Sequence, residues 1–175
     1  MITLEIDTKT TEISRILKET LDPRKLRDAM RSAAKKSVQK TQIVSDTTEN
    51  VISRFNLEYK IRLKDIKTGY NAETAHVLYS GKRYPLHYFK HSPQTIMGGR
   101  NTQHLISSVK KGENRDEYPA FRIRNGIFER ISSQRLPIRI KYGASLGEMA
   151  SKSDVRERIS QQMLKRYESE LLKYL

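Results

Sequence analysis

Few side chains in this sequence can do chemistry, and their spacing sorts them quickly. There is no cysteine, so disulfides, thiolate metal sites and cysteine nucleophiles are excluded. The four histidines are His76, His87, His91 and His104. His87 and His91 stand four residues apart, which would pair them on a helix, but Pro85 and the alternation over Leu86–Phe89 predict a strand. Zinc would then need carboxylates from elsewhere, at a spacing that the sequence does not offer. Gly98-Gly99 lacks the flanking strand and helix of a phosphate-cradling loop. No serine sits in a nucleophile-elbow pattern. These residues predict no metal and no other cofactor.

The best enzymatic pattern is Asp46 followed by Glu58-Tyr59-Lys60. A carboxylate upstream of a glutamate-x-lysine strand can hold a divalent ion and orient a water for phosphodiester cleavage. That chemistry needs Asp46 and Glu58 on adjacent strands, whereas residues 22–55 read as helical. The expectation is a protein that is not an enzyme. A metal-dependent nuclease on Asp46, Glu58 and Lys60 is one alternative. A non-specific nucleic-acid-binding protein is another, favoured by charge but lacking a docking motif or an exposed aromatic platform.

The charge is pronounced. Of 175 residues, 34 are Lys or Arg and 20 are Asp or Glu, a formal net charge of +14. Such a balance draws polyanions through counterion release, without sequence preference, or meets acidic protein neighbours. Leu, Ile, Val and Phe total 41 residues, about 23%, just above the ~20% level below which disorder sets in. A core is expected, but a thin one that completes its burial against other subunits. No apolar run approaches the ~20 residues that span a bilayer, and Met1–Asp7 alternates like a strand rather than a signal peptide. The expectation is a soluble, intracellular, non-secreted protein with no membrane partner.

The elements that must position these residues can be read in order. Ile2, Leu4 and Ile6 predict an opening strand. Thr10 or Thr11 can cap a helix with Ile13, Ile16, Leu17 and Leu21 on one stripe. Asp22-Pro23 starts a second helix, an acidic N-cap with Pro at the first helical position. Its inward face reads Leu26, Ala29, Met30, Ala33, Ala34 and Val38. Between Arg24 and Lys40 stand seven basic residues and one acid, Asp28, which makes the outer face strongly positive. Thr47 or Thr48 can cap a further turn, and Asn56 another. From about residue 66 the pattern becomes short strands: Ile66–Tyr70, Ala75–Tyr79, Leu86–Phe89, Leu105–Lys110, Ala120–Arg124 and Ile127–Ile131, with Asn125-Gly126 as a hairpin turn. His91–His104 reads as a loop. Leu146–Ala150 forms a short turn or helix. A last helix, capped by Ser151 or Ser153, carries Val155, Ile159, Met163, Tyr167 and Leu171 at four-residue spacing. The fold class is α+β. One domain over 1–175 combines a helical part at about 8–56, an antiparallel sheet at about 61–141, and a C-terminal helix at about 153–175.

Several stretches, taken together and in order, carry a resemblance. Arg135-Leu136-Pro137-Ile138 is followed by Gly143-Ala144-Ser145 and Met149. Pro119-Ala120-Phe121 precedes Asn125-Gly126-Ile127-Phe128-Glu129-Arg130. Ser80-Gly81-Lys82-Arg83 leads to Pro85-Leu86 and Phe89. This ordered set, with the basic helix from Arg24, resembles the phage minor tail protein Z family over residues ~20–175. The Met97–Gln103 loop has no counterpart in that pattern. Pro137 suits a place where the chain leaves a sheet edge, and Gly143 a sharp turn.

The resemblance implies a tail-completion protein of the virion neck, assembled in the host cytoplasm. It implies a homo-oligomeric ring at the head-proximal end of the tail, between the tail terminator or tube protein and the head connector proteins, with phage DNA in the lumen. Sixfold symmetry, a hexamer, is the natural expectation because tail tubes are sixfold. Lys82 and Arg83 in a turn, Lys110 and Lys111 at a strand end, and Arg100 in the Met97–Arg100 loop are the candidate phosphate contacts. Val155, Ile159, Met163, Tyr167 and Leu171 are the candidate assembly interface, or else the face by which the last helix packs across the sheet.

Overall fold

The computed structural model describes residues 2–7, 12–92, 103–112, 116–123, 126–133 and 136–174. The chain is α+β, as its element order predicts. Strand β1 (Ile2–Asp7) lies against β3 (Thr74–Tyr79), which also pairs with β2 (Ile66–Tyr70), all antiparallel in the order β1-β3-β2. The register sets Val77 between Leu4 and Thr68, and Ala75 between Ile6 and Tyr70. Side chains alternate across a strand, so one face of this sheet carries the apolar set and receives the helices.

Helix α1 (Glu12–Thr20) buries Leu17 but leaves Ile16 41% exposed, a narrower stripe than the sequence suggested. Its expected caps, Thr10 and Thr11, lie outside the described residues. Helix α2 (Pro23–Ser37) starts as predicted: Asp22 accepts from the Arg24 backbone N–H at 2.9 Å, and Pro23 occupies the first turn. Ala29, Ala33 and Ala34 have no exposed surface, and these small side chains let α2 approach its neighbours closely.

Helix α3 (Lys40–Arg54) runs unbroken through Thr47 and Thr48, which cap nothing. Thr47 turns inward to share a 3.2 Å hydrogen bond with the Tyr79 hydroxyl, and Thr48 Oγ1 donates to the Val44 carbonyl one turn back. Asn56 does not cap a helix either. Its amide donates to the Ser108 carbonyl at 2.9 Å and ties the end of α3 to the second half of the chain.

That second half is not one sheet with the first. Strands β5 (His91–Ser92), β6 (Gln103–Ser107), β7 (Asp116–Ile123), β8 (Gly126–Arg130) and β9 (Ile138–Ile140) form a five-stranded antiparallel meander. A separate two-stranded ribbon pairs β4 (Arg83–Pro85) with β10 (Tyr142–Ser145). The predicted strand at Leu86–Phe89 is a single 3₁₀ turn, Leu86–Tyr88. The expected loop His91–His104 begins and ends in paired strands, with His91 opposite Ser107. Its centre, including Arg100, lies outside the described residues, as does Asn125 of the hairpin turn.

Short helix α4 (Leu146–Ala150) has a reciprocal cap. Ser145 Oγ accepts from the Glu148 backbone N–H at 3.1 Å, and the Glu148 carboxylate accepts from the Ser145 N–H at 2.7 Å. Helix α5 (Ser153–Leu171) starts at Lys152 without a side-chain cap. It packs against α2, α3 and β1.

Candidate functional site

The nuclease pattern is taken apart by the helix it falls on. Asp46 faces α5, where its Oδ2 meets Arg166 Nη1 at 2.5 Å, both side chains largely buried. The guanidinium is fixed further by the Ser37 carbonyl, which accepts from Nε at 3.3 Å and from Nη2 at 3.2 Å. Asn50, one turn on, donates to Gln162 of α5 at 3.0 Å. Glu58 and Lys60 are exposed and line a hollow of about 570 Å³ with Thr41 and Val44. Val44 and Asp46 are two residues apart on a helix, close to opposite sides. Asp46 therefore turns away from Glu58 and is already neutralised by an arginine. Beside it, burial pushes the Tyr79 phenol up to about 12, against the opposing hydrogen bond from Thr47. No three His, Asp or Glu side chains gather into a possible metal site among the described residues.

His76, His87 and His91 make contacts within the fold. His91 Nδ1 donates to the Phe89 carbonyl at 2.8 Å, and His87 stands edge-on to Tyr88 with centroids 4.5 Å apart. His76 covers Gly69 so closely that a Cβ there would lie 2.5 Å from Nε2. The His104 side chain lies outside the described residues.

An aromatic cluster that the sequence reading did not single out closes on itself. Tyr59 and Tyr88 stack at 4.0 Å, and Tyr84 packs edge-on to Tyr88 at 5.9 Å. Arg62 covers the Tyr59 ring at 5.1 Å. Tyr59 thus has one face on a tyrosine and the other under a cation, which leaves it no face for a nucleobase. Burial, then Asp65, pushes the Tyr84 hydroxyl up.

The five apolar residues proposed as an assembly interface sit in the core. Val155, Ile159, Met163, Tyr167 and Leu171 are each 0–1% exposed within the single chain. Side chains with no remaining surface cannot offer it to a second subunit. Their stripe packs α5 against α2 and α3, each large side chain contributing about 1.5–3 kcal/mol. The large apolar side chains that do reach solvent include Ile123, Ile131, Leu136 and Tyr142, exposed by 40–63%, around β7–β10.

The candidate phosphate contacts separate into two kinds. Lys82 and Lys111 are exposed at turns and carry no ion pair among the described residues. Arg83 lies on β4, 3.6 Å from Glu148. The Ser145 backbone N–H holds that carboxyl below its usual range, so it stays charged opposite the arginine. Lys110 is half-buried where the β6 chain bridges Phe55, and the Lys111 N–H donates to the Arg54 carbonyl at 2.9 Å. Arg54 in turn pairs with Asp154, whose carboxyl that contact holds low. Of the expected tips, Arg83 is therefore committed to an acid of the protein itself.

The larger positive surface lies on α2, where Asp28 is the one acid. Arg24, Arg27, Arg31 and Lys35 recur at three- and four-residue intervals on the face opposite buried Ala29, Ala33 and Ser37. At ~1.5 Å rise per residue the row spans about 16 Å. These four, with Lys25 and Lys36, are exposed and have no ion-pair partner among the described residues. The sequence revealed this charge but not that these six side chains stay exposed without an ion pair among the described residues. Compared with known proteins, the chain matches no family model, no curated protein and no solved structure.

Proposed function

We propose that the protein is a non-enzymatic structural component of a phage or prophage virion, a tail-completion protein that forms a ring at the head-proximal end of the tail. The ordered resemblance of residues ~20–175 motivates the reading. The observation that supports it is that the single chain leaves large apolar side chains exposed on separate elements. A ring needs heterologous contacts, so each subunit must present two distinct adhesive patches. Exposed Ile123, Ile131, Leu136 and Tyr142 supply one apolar area around β7–β10, and exposed Leu172 and Tyr174 supply another at the end of α5. Apart from these, the exposed cations of α2 supply a surface for a polyanion. In this reading the DNA in the lumen is held by its backbone phosphates, without base readout. The tail terminator or tube and the head connector lie on the two sides of the ring.

Immunogold electron microscopy of tailed particles from a producing host tests the placement. Label at the head–tail junction is the expected result, and particles that carry no label anywhere would refute it. The α2 cations also favour the second reading, a plain nucleic-acid-binding protein. That reading predicts a monomer that coats duplex DNA and never joins tails.

A further inference from the structure

The row of cations on α2 ends in a groove. The C-terminal half of α2 contributes Ser32, Lys35 and Lys36, the first turn of α3 contributes Lys40, and β2 contributes Thr68 and Tyr70. The hollow measures about 490 Å³. It follows from the fold in three steps. Strand β2 is an edge of its sheet, so no neighbouring strand fills the space beside it. The short Val38–Gln39 connection turns α2 directly into α3 at that edge. Thr68 and Tyr70 lie on the same side of β2 as buried Ile66, towards the helices, yet Tyr70 remains 41% exposed.

We propose that this groove is a binding site for a nucleic-acid phosphodiester backbone, with Lys35, Lys36 and Lys40 as the phosphate ligands and the hydroxyls of Ser32, Thr68 and Tyr70 as supplementary donors. No carboxylate lines it, and none of the three lysines is held by an ion pair among the described residues. Two other hollows differ on this point. The one at the far end of α2, about 390 Å³, includes Glu73, and the one beside α3 includes Glu58. A nucleic acid fits better than a single carboxylate or an acidic loop because the positive charge does not stop at the groove. It continues from Lys35 to Arg31, Arg27 and Arg24, with Asp28 the one acid among them, a net positive row suited to a ligand whose own charge repeats regularly. Lysine is a point-charge donor that binds phosphate without demanding planar geometry, which suits contact with DNA of any sequence. The assignment rests on the reading that the basic surface of this protein meets DNA, and it moves the main contact from the loop tips to α2.

Binding of the full-length protein to two unrelated duplexes of about 20 base pairs, measured across a salt series, tests the site. Each lost phosphate contact lowers the log–log salt slope by about 0.9. The triple variant Lys35→Gln, Lys36→Gln, Lys40→Gln should lower it by about 2.7 on both duplexes. The Arg triple variant, which keeps the charge, should retain the wild-type slope and serves as the control for folding. If instead the slope falls only in the variant with Lys82, Arg83, Lys110 and Lys111 changed to Gln, the groove assignment fails while the DNA reading stands. If the wild type ignores DNA but binds polyglutamate through these lysines, the groove is a dock for an acidic partner and both fail. If it binds neither probe, both fail as well.

Discussion

Replacing Asp46 by Ala separates the structural account from the catalytic one. The perturbation removes the partner of Arg166, 2.5 Å away, while the guanidinium keeps only the Ser37 carbonyl. Fully exposed pairs are worth about 0.2–1 kcal/mol, and breaking a buried pair from one side costs about 3–5 kcal/mol. Here the arginine side chain is 24% exposed and the aspartate 11%. The cost therefore falls between these limits, at about 2–3 kcal/mol. Arg166→Ala should cost a similar amount, because it strands the carboxylate and the Ser37 carbonyl together. The double variant should lose about 1–2 kcal/mol less than the sum, as expected for residues in contact. Urea unfolding followed by circular dichroism measures all four corners of the cycle. An Asp46→Ala protein within 0.5 kcal/mol of wild type would refute the pairing argument. Magnesium-dependent DNA cleavage lost on Asp46→Ala and Glu58→Ala would restore the nuclease.

Gly143→Ala drives a Cβ into the ring of Phe89, which has no exposed surface, so the overpacking should cost about 1–3 kcal/mol in urea unfolding and recover in part with Phe89→Leu. Glu129 stands opposite Arg139 in the β8–β9 register, with Lys141 Nζ at 2.5 Å from its other oxygen. Burial raises its carboxyl, but the two cations outweigh that and hold it below its ordinary 4.5. The unfolded chain then binds more protons in that window. The stabilisation is present above pH 4.5 and is lost as pH falls through the lowered folded value. Glu129→Gln should flatten the decline of the unfolding midpoint below pH 4.5, and an unchanged decline would refute the assignment.

What the sequence made legible depended on whether the cause was local. Asp22-Pro23 announces α2 because a cap and a fixed φ act within one turn. Strand β2 falls on Ile66–Tyr70 because alternation is likewise local. Thr47, Thr48 and Asn56 misled because the same side chains that cap helices can bond at long range, here to Tyr79 and Ser108, or back within their own helix. The stripe on α5 was legible as periodicity, but periodicity names a face and not its partner. Only the packing against α2 and α3 decides that Ile159 and Met163 belong to the core. Gly143 read as a turn, whereas it lies within β10 and leaves room for Phe89. The groove at Lys35, Lys36 and Lys40 had no sequence signature, since Thr68 and Tyr70 reach it from an edge strand about 30 residues away.

The central claim is assembly into a ring, and native mass spectrometry of the purified full-length protein, with electron microscopy of the same sample, tests it most directly. The account predicts a closed ring of defined copy number, sixfold if it matches the tail tube, formed alone or on addition of tail components. A protein that stays monomeric at every concentration, with and without those components, would contradict it.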